Sequence, residues 1–494
     1  MAKRTAIIDI GSNSARLAIF QHTSKTGFHL VCEQKSRVRI SEGAYAHHGE
    51  LQKPGMARAF NTLESFMQTI AEYKTDKVIA VATSALRDAP NKHLFLEKVS
   101  KKLGLVIKII HGKEEAFYGA VAANNLLPFT DGITIDIGGG SSDMAIVKEG
   151  EITETFSLDL GTVRLKELFY DKGADTDTAR HYIHTALKAL PASFHSNIAI
   201  GIGGTARTLA KAIIQKSDYP FDKLHAFSYV FSAYNAYFEK ISTSPIEALP
   251  SYHIKENRHD TIREGALIFL EILRHIGAKE VITSGVGVRE GLFLHHKLRK
   301  APYKLPAYSN PSVTSIRDRF NILSLPYGNK KEIFRKLYAL FSSKFDRSEE
   351  YNKIMETVLD LSNIGKVLTI YHQNRHANYI AMQELNYGFT HKEMVLISLL
   401  LYTKAKRGYH KALYTQYKTL LPPKKTVKWL AFIYTLTLIL HRNSAKATYT
   451  FRLDKETLFI QSNKSLYLAF QDISEMKRPK NLVIKSGMKD RGDL

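Results

Sequence analysis

The chain has 494 residues, 44% of them hydrophobic and 24% charged, a composition that excludes disordered and fibrous classes. That length exceeds one core and implies two to four domains, and the single cysteine, Cys32, excludes an intrachain disulfide and fits a cytosolic location. The net charge of +23 is uneven: residues 1–300 carry 38 basic and 32 acidic side chains, whereas residues 301–494 carry 32 and 15. A field of that sign attracts polyanions. No apolar segment with a small-residue cleavage site follows the basic start MAKR, so no secretory leader is expected. The longest apolar run, Trp429–Leu440, has twelve residues, short of the roughly 20 that a bilayer requires.

In chain order, strands are expected at 5–10, 15–20, 28–34, 77–82 and 106–111, and helices near 56–73, 91–103 and 114–126. A second unit carries a strand at Ile152–Leu158 and a helix near 176–192, then the strand–turn–helix IAIGIGGTARTLA at 198–210. Helices are expected near 229–241 and 261–276, and EVITSGVGVREGLF at 280–293 forms another strand–Gly–helix unit. Alternating strands and helices indicate an α/β layer architecture. Pro302, Pro306 and Pro311 punctuate a linker, residues 312–446 read as helices, and strand patterns return at TYTFRL and NLVIKS within 447–494.

Two stretches nearly repeat each other. TAIIDIGSNSARLAIF at 5–20 and GITIDIGGGSSDMAIV at 132–147 align at an offset of 127 residues, placing Asp9 on Asp136, Gly11 on Gly138 and Ser14 on Ser141. Each is a β-rich run, a Gly/Ser turn and a second β-rich run. Successive amide N–H groups in such turns form anion-binding concavities. Gly203-Gly204-Thr205 adds a turn at a helix N-terminus, where free N–H groups and the helix dipole favour phosphate. Thr83-Ser84-Ala85-Leu86-Arg87-Asp88 adds two hydroxyls and a guanidinium suited to phosphate. Neither a Rossmann fingerprint nor a Walker A motif is present, and no zinc-knuckle or RNP-like motif points to nucleic acid.

Asp136 and Asp143 flank the second turn, as Mg²⁺ requires when it shares carboxylates with substrate phosphates; each also fits a structural role, ordering the turn or lying on a solvated edge. Glu114-Glu115 opens a helix after VIKIIHG, where acids commonly complement the dipole but a carboxylate can also serve as base for water.

The ordered set DIGSNS, ATSALRDAPN, GKEEA, DIGGGSSD and GIGGT resembles the exopolyphosphatase/guanosine pentaphosphate phosphohydrolase (Ppx/GppA) family of the actin–hexokinase–Hsp70 superfamily, strongly over about residues 4–300. The resemblance implies two ribonuclease-H-like, actin-type α/β lobes at 1–128 and 129–304, a helical domain resembling the HD phosphohydrolase fold at 305–446, and a small α+β tail at 447–494. It implies a Mg²⁺-dependent hydrolase releasing terminal phosphate from inorganic polyphosphate, or converting guanosine pentaphosphate to the tetraphosphate. Glu115 becomes the catalytic base, and Asp136 and Asp143 the metal-associated acids, Asp143 standing where many members have Glu. Phosphate contacts fall on Ser12, Asn13 and Ser14, on Arg16, on Ser84 and Arg87, on Gly138, Gly139, Gly140 and Ser141, on Gly203, Gly204 and Thr205, and on Arg258. In the helical domain the metal dyad of active HD folds is replaced by Ser362-Asn363. His372 and His376 are read as packing or phosphate contacts sharing a helix face, and no metal is expected there. A homodimer is an expectation of the resemblance alone. Two rival readings remain, an ATP-dependent kinase of the same superfamily and a non-enzymatic polyanion or RNA sensor.

Overall fold

The computed structural model describes residues 3–44, 47–129, 131–173, 175–320, 329–345, 348–443 and 445–487; the last seven residues of the expected tail, 488–494, lie outside these. The chain divides into two compact units, Met1–Pro311 and Ser312–Leu494.

The first unit holds two sheets. Strands β1 (Arg4–Ile10), β2 (Ala15–His22), β3 (Phe28–Ser36), β4 (Lys77–Ala82) and β5 (Ile107–Ile109) form a five-stranded sheet ordered β3-β2-β1-β4-β5. β1 to β3 form an antiparallel meander, and β4 and β5 run parallel to β1. Strands β6 (Gly132–Ile137), β7 (Ser142–Lys148), β8 (Glu151–Leu158), β9 (Ile198–Ile202), β10 (Phe227–Val230) and β11 (Glu280–Thr283) form the second sheet, ordered β10-β11-β9-β6-β7-β8. Read from β8 to β11, it repeats the first sheet's order and directions and adds the antiparallel edge strand β10. We call the two halves lobe I and lobe II. The central strands β1 and β6 are buried on both faces, which suits their Ile-rich sequences.

Among the described residues the α-helices of this unit are α1 (Lys53–Glu72), α2 (Ser84–Arg87), α3 (Lys92–Leu103), α4 (Gly112–Leu126), α5 (Thr162–Leu168), α6 (Thr176–Leu187), α7 (Gly203–Lys216), α8 (Asn235–Thr243), α9 (Ile262–His275) and α10 (Val288–Lys297). α1 shows the usual amphipathic logic. Pro54 sits in its first turn, and Gly55, Ala59, Leu63, Phe66 and Ile70 line its buried face at helical spacing. The helix expected from 229 begins later, because Phe227 to Val230 alternate buried and exposed and pair antiparallel with β11.

Two helices cross between lobes. α4 follows β5 in the chain, yet Ala116 and Ala120 pack with Ala145 and Val147 of lobe II, and Ala123 and Leu127 pack with Ile200 and Ile202. α10 follows β11, yet Phe293 stacks on Phe20 at 4.5 Å and meets Phe28 at 4.8 Å in lobe I. The exchange cuts across the expected boundary at 128. The two helices touch backbone to backbone, because a Cβ on Gly291 would fall inside the envelope of Tyr118 O.

The second unit contains α11 (Pro311–Phe320), α12 (Lys330–Phe341), α13 (Ser348–Leu361), α14 (Gln373–Glu384), α15 (His391–Leu401), α16 (Lys411–Gln416) and α17 (Lys424–Asn443). Phe341 of α12 stacks on Trp429 of α17 at 5.1 Å. β12 (Tyr449–Asp454), β13 (Thr457–Ser462), α18 (Tyr467–Ser474) and β14 (Val483–Ser486) complete it, with β13 antiparallel to β12 and parallel to β14. The expected shared face of His372 and His376 does not form. His372 lies before α14 in a left-handed conformation, φ +53°, and only His376 is in the helix. At Ser362 the buried Lys330 ammonium donates to Ser362 Oγ at 3.0 Å and to Leu359 O at 2.6 Å. Among the described residues no helix is long and apolar enough to cross a membrane.

Candidate active site

The twin hairpins meet. β1 and β2 enclose Gly11 to Ser14, β6 and β7 enclose Gly138 to Ser141, and both turns close with the same bond, Gly11 N to Ser14 O at 3.1 Å and Gly138 N to Ser141 O at 2.9 Å. A Cβ on Gly139 would stand 2.7 Å from Ser12 Cβ, so the tips approach each other with room for no side chain on the second. Ser12 Oγ also lies 3.2 Å from Ser84 Oγ in the one-turn helix after β4, which brings a third loop to the same point. A fourth arrives from β9, where Gly203 opens α7. Its φ of +80° and its contact with the Asp136 carboxylate both require glycine.

These loops line one cleft between the lobes. Of the residues expected from sequence, Ser12, Asn13, Ser14, Arg16, Ser84, Glu115, Asp136, Gly138, Gly139, Ser141, Gly203, Gly204, Thr205 and Arg258 line it. Three stand behind it. Arg87 Nη1 is 4.0 Å from Glu115 Oε2 and donates to Ile110 O at 3.3 Å. Gly140 O accepts from Arg164 Nε at 3.0 Å. Asp143 accepts from Ser157 Oγ at 2.5 Å and from Ser141 Oγ at 3.0 Å, so a serine engages each carboxylate oxygen.

The adjacent glutamates of GKEEA have separate tasks. Glu114 turns back, accepting from His111 N at 3.0 Å and from Lys108 Nζ at 2.6 Å, and so caps α4. Glu115 points into the cleft, and its Oε2 is buried and accepts no hydrogen bond. Burial first, then the charges of Asp143, Asp9 and Asp136, push the Glu115 carboxyl well above the usual range. Asp136 is pushed up to about 6, mainly by burial, with Arg207 opposing. Burial also raises Asp9, against Arg289 and Arg16. Glu115, Asp136 and Asp9 line one cleft with Asp143 behind it, and burial raises the carboxyl groups of all three lining acids, an arrangement in which a cation would favour their ionised forms.

The cleft also contains Thr83, the second hydroxyl of the loop after β4, and residues to which the sequence reading gave no role: Asp9, Lys35, Arg37, Arg207, Arg289 and Glu290. Arg207 donates to Ser284 O at 2.8 Å and Val286 O at 3.0 Å, tying α7 to the turn after β11; burial lowers its guanidinium to about 10. Arg289 pairs with Glu33 at 2.6 Å, and Glu290 caps α10 through Gly287 N at 2.8 Å. The signal for Arg289 and Glu290 was present in GVGVREGLF, a strand–Gly–helix unit like that at Gly203. Lys35 and Arg37 carried no local signal.

Residues 18–300 match the profile described as the Ppx/GppA phosphatase family, which covers more than half of the chain. The chain belongs to that family. Its relatives include a bifunctional 3-dehydroquinate synthase/phosphatase of Fusobacterium nucleatum, 27% identical over 300 residues, a match spanning 56% of this chain and 44% of that longer protein. The chain thus spans less than half the length of that relative. A guanosine-5'-triphosphate,3'-diphosphate pyrophosphatase of Photobacterium profundum is 22% identical over 419 residues, covering 80% of this chain and 79% of the relative. Among solved structures, the Aquifex aeolicus family member is 28% identical with a TM-score of 0.52, covering 61% of this chain and 99% of its own. An exopolyphosphatase of Cytophaga hutchinsonii shares the fold at 23% identity and a TM-score of 0.55, covering 61% of this chain and all of its own.

Proposed function

We propose that this family member is a phosphoanhydride hydrolase that releases terminal phosphate from inorganic polyphosphate, or converts guanosine pentaphosphate to the tetraphosphate. The observation that carries the reading is the Glu115 carboxylate, whose buried Oε2 accepts no hydrogen bond, at the meeting point of four phosphate-type loops. The relatives named for guanosine pentaphosphate and polyphosphate hydrolysis support it.

The donor set fits a hard divalent cation such as Mg²⁺. Asp9 and Asp136 end equivalent strands, line the cleft and are raised by burial. Among the described residues no three His, Cys, Asp or Glu side chains cage an ion by themselves. Mg²⁺ does not need such a cage, because it takes one or two carboxylates with waters and phosphate oxygens. Asp136 and Asp9 would hold it, with Asp143 adding charge from behind, and the ion would offset charge on the substrate's phosphates.

The chain's own groups supply the remaining chemistry. Backbone N–H groups of the hairpin turns and of the α7 N-terminus seat the terminal phosphoryl group. Glu115 accepts the proton of the attacking water as its oxygen meets phosphorus, and the bridging oxygen leaves with the shortened chain. Arg87, beside Glu115, keeps part of that carboxyl ionised and offsets charge on the transferred group.

The fold belonging to this reading is a pair of actin-type, ribonuclease-H-like lobes, followed by an HD-like helical domain at 305–446 that has lost its metal dyad and a tail at 447–494. A cytoplasmic homodimer completes it. The test is phosphate release from polyphosphate and from guanosine pentaphosphate, measured side by side for wild type and Glu115→Gln. Loss of turnover by about 10²-fold or more with retained binding supports the role of Glu115, and near-normal turnover removes it.

A further inference from the structure

The two lobes repeat strand for strand, so their cross-strand partners can be compared. In lobe I Asp9 of β1 faces Arg16 of β2, and Arg16 faces Lys35 of β3. In lobe II Asp136 of β6 faces Asp143 of β7, and Asp143 faces Ser157 of β8. Directly paired residues share one face of a sheet, about 5 Å apart. Each lobe therefore carries a three-residue row from its central strand to its edge.

The rows are opposite in kind. In lobe II the row is acidic, and both oxygens of Asp143 are hydrogen-bonded, Ser157 and Ser141 donating to them. Lobe I's row is open. Among the described residues neither Arg16 nor Lys35 makes an ion pair or hydrogen bond through its side chain, and Arg258 across the cleft makes none either. Like charges set directly opposite one another in a sheet are destabilising. Besides Asp9, which faces Arg16, two neighbouring acids are committed elsewhere: Glu33 to Arg289 at 2.6 Å, and Asp260 to Arg37 at 3.6 Å and Arg39 at 3.4 Å. Arg16, Lys35 and Arg258 thus line the cleft with three positive charges, of which Asp9 partly offsets that of Arg16 and Asp260 that of Arg258. A ligand that repeats its negative charge along its length completes the row, starting at Asp9 beside the reacting centre and leading outward to the sheet edge.

We propose that Lys35 is the specificity-determining contact for the phosphates that follow the scissile anhydride, acting beside Arg16 and favouring long polyphosphate over short chains. The inference rests on the hydrolase reading above and names which substrate dimension the cleft measures. Lys35 lies at the edge of the row, open to solvent on one side and covered by the cleft wall on the other, so a bound chain reaches it only after passing Arg16. The groups facing it are Arg16 from β2, Arg258 from the loop at 256–258, Arg37 beyond the strand end and Glu33 on its own strand. Partial burial and then the three guanidinium groups hold its ammonium down at about 8, against the smaller opposing effect of Glu33. Its charge, and with it the grip on phosphate, is present below that pH and fades above it.

The experiment compares wild type, Lys35→Met and Lys35→Arg, with long-chain inorganic polyphosphate and with inorganic tripolyphosphate. Lys35→Met is expected to raise KM for the long chain by about tenfold or more with kcat within about twofold, and to change KM for tripolyphosphate much less. Wild-type kcat/KM for the long chain should fall as pH rises past about 8, whereas Lys35→Arg, always charged, should hold its value further. An unchanged KM in Lys35→Met, or an equal rise for both substrates, overturns the proposal while leaving the hydrolase reading intact. Wild-type protein that releases no phosphate from either substrate overturns both.

Discussion

The crossing of α4 and α10 is the most sensitive joint in the first unit, and Gly291→Ala tests it. A Cβ at Gly291 would meet the Tyr118 carbonyl oxygen, carbon and Cα, all backbone atoms that no rotamer change can remove. To reach ordinary contact the two helices must separate by about 1 Å or more. Overpacking of this kind costs roughly 1–3 kcal/mol, and a backbone obstacle places it at the upper end. Glu115 lies three residues, less than one turn, before Tyr118 on α4, so the displacement directly reaches the carboxylate proposed as base. Misplacing a catalytic group by about 1 Å costs on the order of 10²-fold in rate. The control is Gly119→Ala, next on the same helix, whose Cβ would meet only the end of the Ile202 side chain at 3.3 Å. Tm and kcat for phosphate release would be measured for both. Gly291→Ala should lose stability and most of its turnover, while Gly119→Ala stays close to wild type in both. Wild-type Tm and kcat in Gly291→Ala would refute the claim that this crossing sets the position of Glu115.

Glu264 is 1% exposed on α9, its Oε2 accepts no hydrogen bond, and burial raises it to about 7 from an ordinary 4.5. The folded chain therefore holds a proton that the unfolded chain releases, and stability falls as pH rises from about 4.5 to about 7, by up to about 3 kcal/mol. Glu264→Gln should be more stable than wild type at about pH 8 and lose less stability between about pH 5 and 8; an identical pH slope by thermal melting would contradict this assignment. Chelation with EDTA should stop phosphate release and added Mg²⁺ should restore it, whereas full turnover in chelator would exclude the carboxylate cluster as a cation site. A chain ending at Pro311 should lose affinity for long polyphosphate more than for guanosine pentaphosphate, and the loss should shrink as salt rises, because residues 301–494 carry 32 basic against 15 acidic side chains. Equal affinities with and without that unit would assign its charge to another task.

Most strand positions and the phosphate loops were legible because each depends on local chemistry. Asp9-Ile10-Gly11 and Asp136-Ile137-Gly138 announce strand-to-turn transitions within three residues, and Gly203-Gly204-Thr205 announces a helix start. The helix exchange was not legible. Ala116, Ala120 and Ala123 read as one small-residue stripe whichever sheet they cover, and only the tertiary fold sends them to lobe II. Glu114 and Glu115 could not be separated by sequence pattern either, since both fit a first helical turn; the Lys108 and His111 contacts of Glu114 decide the matter. Lys35 escaped for the same reason. Nothing in CEQKSRV distinguishes it from a solvated edge residue until its pairing with Arg16 is known.

That pairing gives the duplication its chemical meaning. A repeated β-hairpin by itself yields two equal anion-binding turns, and two equal turns would bind phosphate without favouring a direction. The chain breaks the equality at two side chains per lobe. Where lobe II has Asp143 and Ser157, lobe I has Arg16 and Lys35 at the matching register. One row concentrates negative charge close to Glu115, where the proposed hydrolysis would place a cation and a water. The other leads positive charge away from it, where the rest of a polyanion must lie. On the proposal above, a linear substrate would enter in one sense only, with its terminal phosphate at the acidic row and its length along the basic one. Exchanging the charge of either row, for example with Arg16→Glu, would leave the backbone turns intact and remove the direction.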